Sequence, residues 1–152
     1  MTVIHGTCVA IDDVGLLLRG PPRSGKSDLA LRLIDGGARL VADDRVVLEA
    51  RDGNLIASAP APIAGLIEVH GLGIARLDES AEARLGLAVE LVPPEQVERL
   101  PEPESCTYEG ISLPLIRLAP FEASAPAKLR LAARTCREER RGRGGRFAVG
   151  AL

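Results

Sequence analysis

The chain has no tryptophan, one tyrosine and two phenylalanines in 152 residues. With so few rings, Val, Leu, Ile and Ala must fill the core, and a single-strand binder that stacks bases on aromatic platforms is disfavoured. Long apolar runs are also missing: nothing approaches the ~20 residues needed to span a bilayer. The opening "MTVIHGTCVA" lacks the basic region and extended apolar stretch of a secretory signal. Cysteine is scarce. Cys8, Cys106 and Cys136 are odd in number and far apart, which suits neither a disulfide framework nor a zinc site. They read as small buried apolar residues, reduced in the cytoplasm.

What remains is the composition of a soluble globular domain, 46% hydrophobic and 26% charged, long enough to bury a sizeable core. The net charge of -2 is unevenly spread. From Arg130 onward there are seven Arg and two Glu, a surplus of five positive charges, so the preceding residues carry -7. We expect residues 1–137 to form one domain and 138–152 a basic, partly disordered tail. An RNA or acidic partner for that tail is the less favoured reading.

The apolar pattern predicts strands in "TVIHGTCVAI" and "VGLLLRG", joined at Asp12–Asp13. "KSDLALRLIDGG" reads as a helix with Leu29, Ala30, Leu33 and Ile34 on one face, stopped by Gly36–Gly37. "ARLVADD" is a short strand, and "RVVLEARDGNLIAS" a hairpin turning at Asp52–Gly53. "GLIEVHGLGIARL" reads as another strand and loop, and "LGLAVELVPPE" and "GISLPLIRL" as two more strands, with Pro114 placing the last near an edge or bulge. "APAKLRLAARTCREER" is a C-terminal helix with Leu129, Ala132, Ala133 and Cys136 along one side. Strands outnumber helices, which predicts an α/β fold: a mixed sheet with antiparallel hairpins around one P-loop strand–loop–helix unit.

"GPPRSGKSD" matches the phosphate-loop pattern through Gly20, Gly25, Lys26 and Ser27. Its glycines let backbone N–H groups curl around an anion, and the following helix presents its positive end to the same anion. The segment Gly20, Pro21, Pro22, Arg23, Ser24, Gly25, Lys26, Ser27 is thus the candidate nucleotide site. Lys26 is placed to reach the terminal phosphates and Ser27 to ligate Mg²⁺. Asp43 and Asp44 end a strand 17 residues after Lys26. A paired parallel strand of a βαβ unit brings such carboxylates beside the loop, to hold Mg²⁺ through water or to take a proton from an attacking hydroxyl. A turn cap is the structural alternative. Glu68, a carboxylate within an apolar strand, is either a second Mg²⁺ ligand or a residue on a solvent-facing strand face. His5 and His70 taken alone read as structural.

Five stretches in order, "IHGTCVAI", "GPPRSGKSDLAL", "GARLVADDRV", "SAP" and "LIEVHGLGI", resemble the catalytic domain of bacterial HPr kinase/phosphorylase. Members of that family transfer phosphate from ATP or pyrophosphate to a serine of HPr, a small phosphocarrier protein, and reverse the reaction by phosphorolysis. The resemblance implies a phosphoenolpyruvate carboxykinase-like fold, ATP and Mg²⁺ as cofactors, HPr as partner and a hexameric assembly, with no membrane or nucleic-acid partner. It assigns His5 and Lys26 to the active site and Ser27 and Glu68 to Mg²⁺. It makes Asp44 the proton acceptor, with Asp43 its neighbour and His5 orienting it.

The chain departs from the family pattern in three ways. It begins just before His5, as in short alphaproteobacterial forms without an N-terminal domain. His70 stands where the family has Arg. The segment that brings a late catalytic Arg is replaced by "APAKLRLAA", where Lys128 or Arg130 would supply the charge or be ordinary helix residues. Besides an HPr kinase, two readings therefore stay open: a kinase of this fold with another acceptor, and a nucleotide sensor that catalyses little.

Overall fold

The computed structural model describes residues 1–77 and 82–140. The chain opens with strands β1 (Thr2–His5), β2 (Thr7–Ile11) and β3 (Val14–Arg19). The expected first strand is split at Gly6, whose N–H leaves the strand to donate to the Asp44 carbonyl at 3.2 Å. Asp12, at φ 53°, turns β2 back on β3. Helix α1 (Lys26–Asp35) leads to β4 (Arg39–Ala42), and the hairpin β5 (Arg45–Arg51) and β6 (Asn54–Ser58) turns at Asp52–Gly53 as expected. Then come β7 (Leu66–Val69), β8 (Gly73–Arg76), β9 (Ala83–Leu91), β10 (Glu104–Tyr108), β11 (Ile111–Leu118) and helix α2 (Ala125–Arg140). Of the expected tail, 138–140 continue α2 and 141–152 lie outside the described residues.

Nine strands form one sheet along the path β1-β5-β6-β9-β3-β2-β4, with β10 and β11 attached through β9. β7 and β8 pair only with each other. β9 is the spine. From Leu85 to Glu90 it runs parallel to β3 on one side; on the other it pairs with β6 at Ala83–Arg84 and then with β11 from Ala88 to Leu91. This change of neighbour along one strand curls the sheet into a half-barrel.

The expected class, a mixed sheet built on a P-loop strand–loop–helix unit and like phosphoenolpyruvate carboxykinase, is therefore corrected. β4 is not the parallel neighbour of β3. β2 lies between them, antiparallel to both, and β9 takes the other side of β3. The local hairpin at Asp12–Asp13 occupies the edge of β3 that a βαβ crossover would have used.

Both faces of the sheet are covered, which explains the nearly unbroken apolar run of β3. Leu16 and Leu18 of β3 pack with Leu29 and Leu33 of α1 and Leu129 of α2. Leu17 points the other way, into a second cluster with Cys8, Val46, Leu48, Leu55 and Leu113. The four α2 residues expected on one side are all buried. Pro114 sits where β11 has β10 on one side and has not yet met β9, the near-edge position its missing N–H requires. Cys8 and Cys136 are buried and the three cysteines are free. Burial pushes the Cys136 thiol up to about 11 and raises that of Cys8 further.

Candidate active site

β3 delivers the chain into the loop at Gly20, and α1 begins at Lys26. Gly25, the residue before α1, has φ 99°, a left-handed conformation that a side chain strains. A Cβ there would also approach Phe121 Cζ to 2.8 Å. Gly25→Ala is expected to cost about 1–3 kcal/mol, seen as a lower urea midpoint with unchanged slope, and to weaken nucleotide binding along with it.

Lys26 folds back over the loop. Its Nζ donates to the carbonyls of Gly20 at 2.8 Å and Pro21 at 2.9 Å, and lies 3.5 Å from Ser24 Oγ. Burial lowers its pKa, while the nearby charges of Asp43 and Asp44 partly oppose that shift. Arg23, at φ 66°, is exposed.

Asp43 is the organising group. It is only 5% exposed and collects three hydrogen bonds from three parts of the chain. Thr7 Oγ1 donates to Oδ1 at 2.9 Å, Ser27 Oγ to the same oxygen at 2.7 Å, and the Glu68 N–H to Oδ2 at 3.0 Å. A buried carboxylate needs such partners, and these tie β2, α1 and β7 together at one point. Asp44, by contrast, is exposed and held at φ 70°. His5 ends β1, in register with Arg45, and its ring is exposed.

Lys26, Ser27, Asp43 and Asp44 thus gather at one place, with Glu68 joined by its backbone and its carboxylate exposed. Lys128, on the first turn of α2, pairs with Glu122 at 3.3 Å, and Glu122 lines the cleft that borders the loop. Arg130 contacts Gly36, at the opposite end of α1 from the loop. His70 is exposed in the β7–β8 turn. Among the described residues, no three His, Cys, Asp or Glu side chains are grouped as a metal cage. The donor chemistry present, a serine hydroxyl and carboxylates, is hard oxygen of the kind Mg²⁺ takes together with phosphate.

Two features escaped the sequence reading. Thr7 holds Asp43, and its only sequence signal is a polar residue at an inward strand position. Arg19, the last residue before the loop, is clamped by Glu90 and the Tyr108 hydroxyl, with 2.8 Å from Nε to Glu90 and 2.7 Å from Nη1 to Tyr108. A cleft of about 530 Å³ borders the loop, running from Pro21–Ser24 to Pro93–Pro94 and Pro120–Phe121.

Residues 1–118 match the HPr Serine kinase C-terminal domain. The chain belongs to that family. The HPr kinase/phosphorylase of Clostridium tetani (strain Massachusetts / E88) is 47% identical over 73 residues, which are 48% of this chain and 24% of that protein. The Clostridium perfringens (strain 13 / Type A) protein of the same name is 44% identical over 80 residues, 53% of this chain and 25% of its own length. The chain thus spans about a quarter of the length of these relatives. The solved structure of the Hpr(Ser) kinase/phosphatase from Coxiella burnetii superposes with a TM-score of 0.81 at 30% identity, covering 93% of this chain and all of that one. That likeness gives the HPr serine kinase domain its own fold class, in place of the carboxykinase-like one expected.

Proposed function

We propose that this chain is an ATP-dependent kinase that phosphorylates a serine of the HPr phosphocarrier protein and also runs the reverse phosphorolysis. The observation that carries the reading is Asp43, whose Oδ1 accepts from Ser27 at the mouth of the phosphate loop, with Asp44 next in the chain and open to solvent. Gly20 to Ser27 would hold the ATP phosphates, and the apolar cleft bounded by Pro93 and Phe121 would take the base. Ser27 and Glu68 would hold Mg²⁺, which would offset charge on the transferring group. Lys26 exchanges its loop carbonyls for phosphate oxygens. Asp44 takes the proton of the incoming serine hydroxyl and returns it in phosphorolysis, with His5 orienting it. Lys128 reaches the site only by giving up Glu122. The family resemblance extends the reading to a cytoplasmic homo-oligomer, hexameric in assembly.

The test is to mix the protein with Mg²⁺, ATP and HPr from the same organism and weigh HPr intact. A gain of one phosphate is expected, absent with Lys26→Ala or with HPr lacking its acceptor serine, and reversed on adding phosphate. No gain with ATP binding intact overturns the reading in favour of a nucleotide sensor. The position of Arg130 at the opposite end of α1 from the loop favours that second reading.

A further inference from the structure

At the far end of α1, roughly 15 Å along its ten residues from the phosphate loop, lies a second cavity of about 370 Å³. Its walls are cationic: Arg130, Arg134 and Arg137 of α2, spaced so that they share one side of the helix. Its floor is apolar, from Ile11, Val14 and Ala133, and the Gly36–Gly37 turn closes one end. α2 lies beyond residues 1–118, the part that matches the family domain.

The charges in this cavity are not balanced. Asp12 is the one acid lining it, and it already binds Arg137 at 2.8 Å. Arg140, the next residue along the stripe, is satisfied by the carbonyls of Asp13 and Leu85. Arg130 and Arg134 have no hydrogen-bond or ion-pair partner among the described residues. They are also like charges four apart, which repel on a helix. The negative end of α1 accounts for the approach of Arg130 to Gly36, where a Cβ would come within 1.9 Å of Nη2. It does not account for Arg134. Both sit mid-helix in α2, away from its own negative end.

We propose that this cavity binds a small phosphomonoester, its phosphate held by Arg130 and Arg134 and its apolar body resting on Ile11. Guanidinium forks match phosphate oxygens in pairs. The volume is that of a small-molecule site, and the concavity favours a compact ligand over an extended nucleic-acid backbone. The unpaired arginines supply the attraction that the fold itself leaves unused.

Phenyl phosphate, which has both parts, is the probe. It is titrated at low salt into the full chain labelled for NMR, with Lys26→Ala as background so that the phosphate loop does not compete. Saturable shifts are expected at the amides of Gly36, Gly37 and Ala38 and at the Nε–H of Arg130 and Arg134. Arg130→Gln/Arg134→Gln is expected to weaken binding about tenfold or more; the exposed Arg134→Gln alone serves if the pair fails to fold. Shifts confined to residues 20–27, or an affinity unchanged in a folded Arg variant, overturn the proposal. So does a response to oligouridylate with none to phenyl phosphate, which makes the stripe a nucleic-acid face.

Discussion

Asp44→Asn is expected to slow phosphoryl transfer by about 10²–10⁴-fold while leaving stability almost unchanged, and Asp43→Asn is expected to lower both. The two neighbours differ in what surrounds them. Asp44 is exposed, and Asn keeps the left-handed backbone at φ 70° that most residues resist. The substitution therefore removes proton affinity and little else. Asp43 is buried and accepts at both oxygens. An amide in its place turns one acceptor into a donor, which must face either the Glu68 N–H or the two hydroxyls of Thr7 and Ser27. With its oxygen kept on the Glu68 N–H, its NH2 donates to both hydroxyls, which then lose the acceptor for their own protons, at a cost of about 1 kcal/mol. The change also turns the Ser27 hydroxyl away from its present partner, at the residue proposed for Mg²⁺. Urea unfolding and the HPr mass assay separate the two variants. Full transfer by Asp44→Asn moves the proton acceptor to Asp43 and overturns the division of labour.

How legible this was follows from how local each feature is. The helices α1 and α2 were readable because a helix is encoded within one short stretch. α2 spans Ala125–Arg140 as the pattern implied. The hairpin at Asp52–Gly53 was readable for the same reason. The insertion of β2 between β3 and β4 was not, since strand order depends on partners far apart in sequence. β10 was missed because "ESCTY" has almost no apolar alternation, and its turn to β11 is the unremarkable Glu109–Gly110. In the site, the Asp pair was visible as two carboxylates after an apolar strand. Which of them is buried depends on Thr7 and the Glu68 amide, 36 and 25 residues away, and no spacing rule reaches that far. Lys128, expected near the site from its segment, is seen in an exposed ion pair with Glu122, a pairing no sequence pattern announced.

Lys26→Ala is expected to weaken ATP binding by a factor of about 30 to several thousand, the cost of truncating one partner of a hydrogen-bonded charge pair, and to remove a particular pH dependence. Unliganded, the Lys26 ammonium is partly buried against carbonyls, and burial lowers its pKa from the lysine value of 10.5. The folded chain therefore releases this proton at a lower pH than the unfolded chain. Between the lowered pKa and 10.5 the unfolded state holds more protons, so this residue makes stability rise with pH across that window and contributes no slope outside it. Bound phosphate reverses the preference: an anion beside Nζ favours the ammonium, so binding takes up a proton where the free protein has lost one. ATP affinity should then fall as pH rises through the lowered pKa of Lys26. Titration calorimetry in two buffers of different ionisation enthalpy reads that proton uptake directly. Lys26→Ala should bind weakly with no such uptake. Lys26→Arg, which stays charged throughout, should lose the alkaline fall in affinity even if its longer side chain binds less well. If wild-type affinity is flat across the alkaline range while Lys26→Ala still binds weakly, then Lys26 contributes by shape and hydrogen bonding alone. The opposing charges of Asp43 and Asp44 would then already hold it fully protonated before the nucleotide arrives.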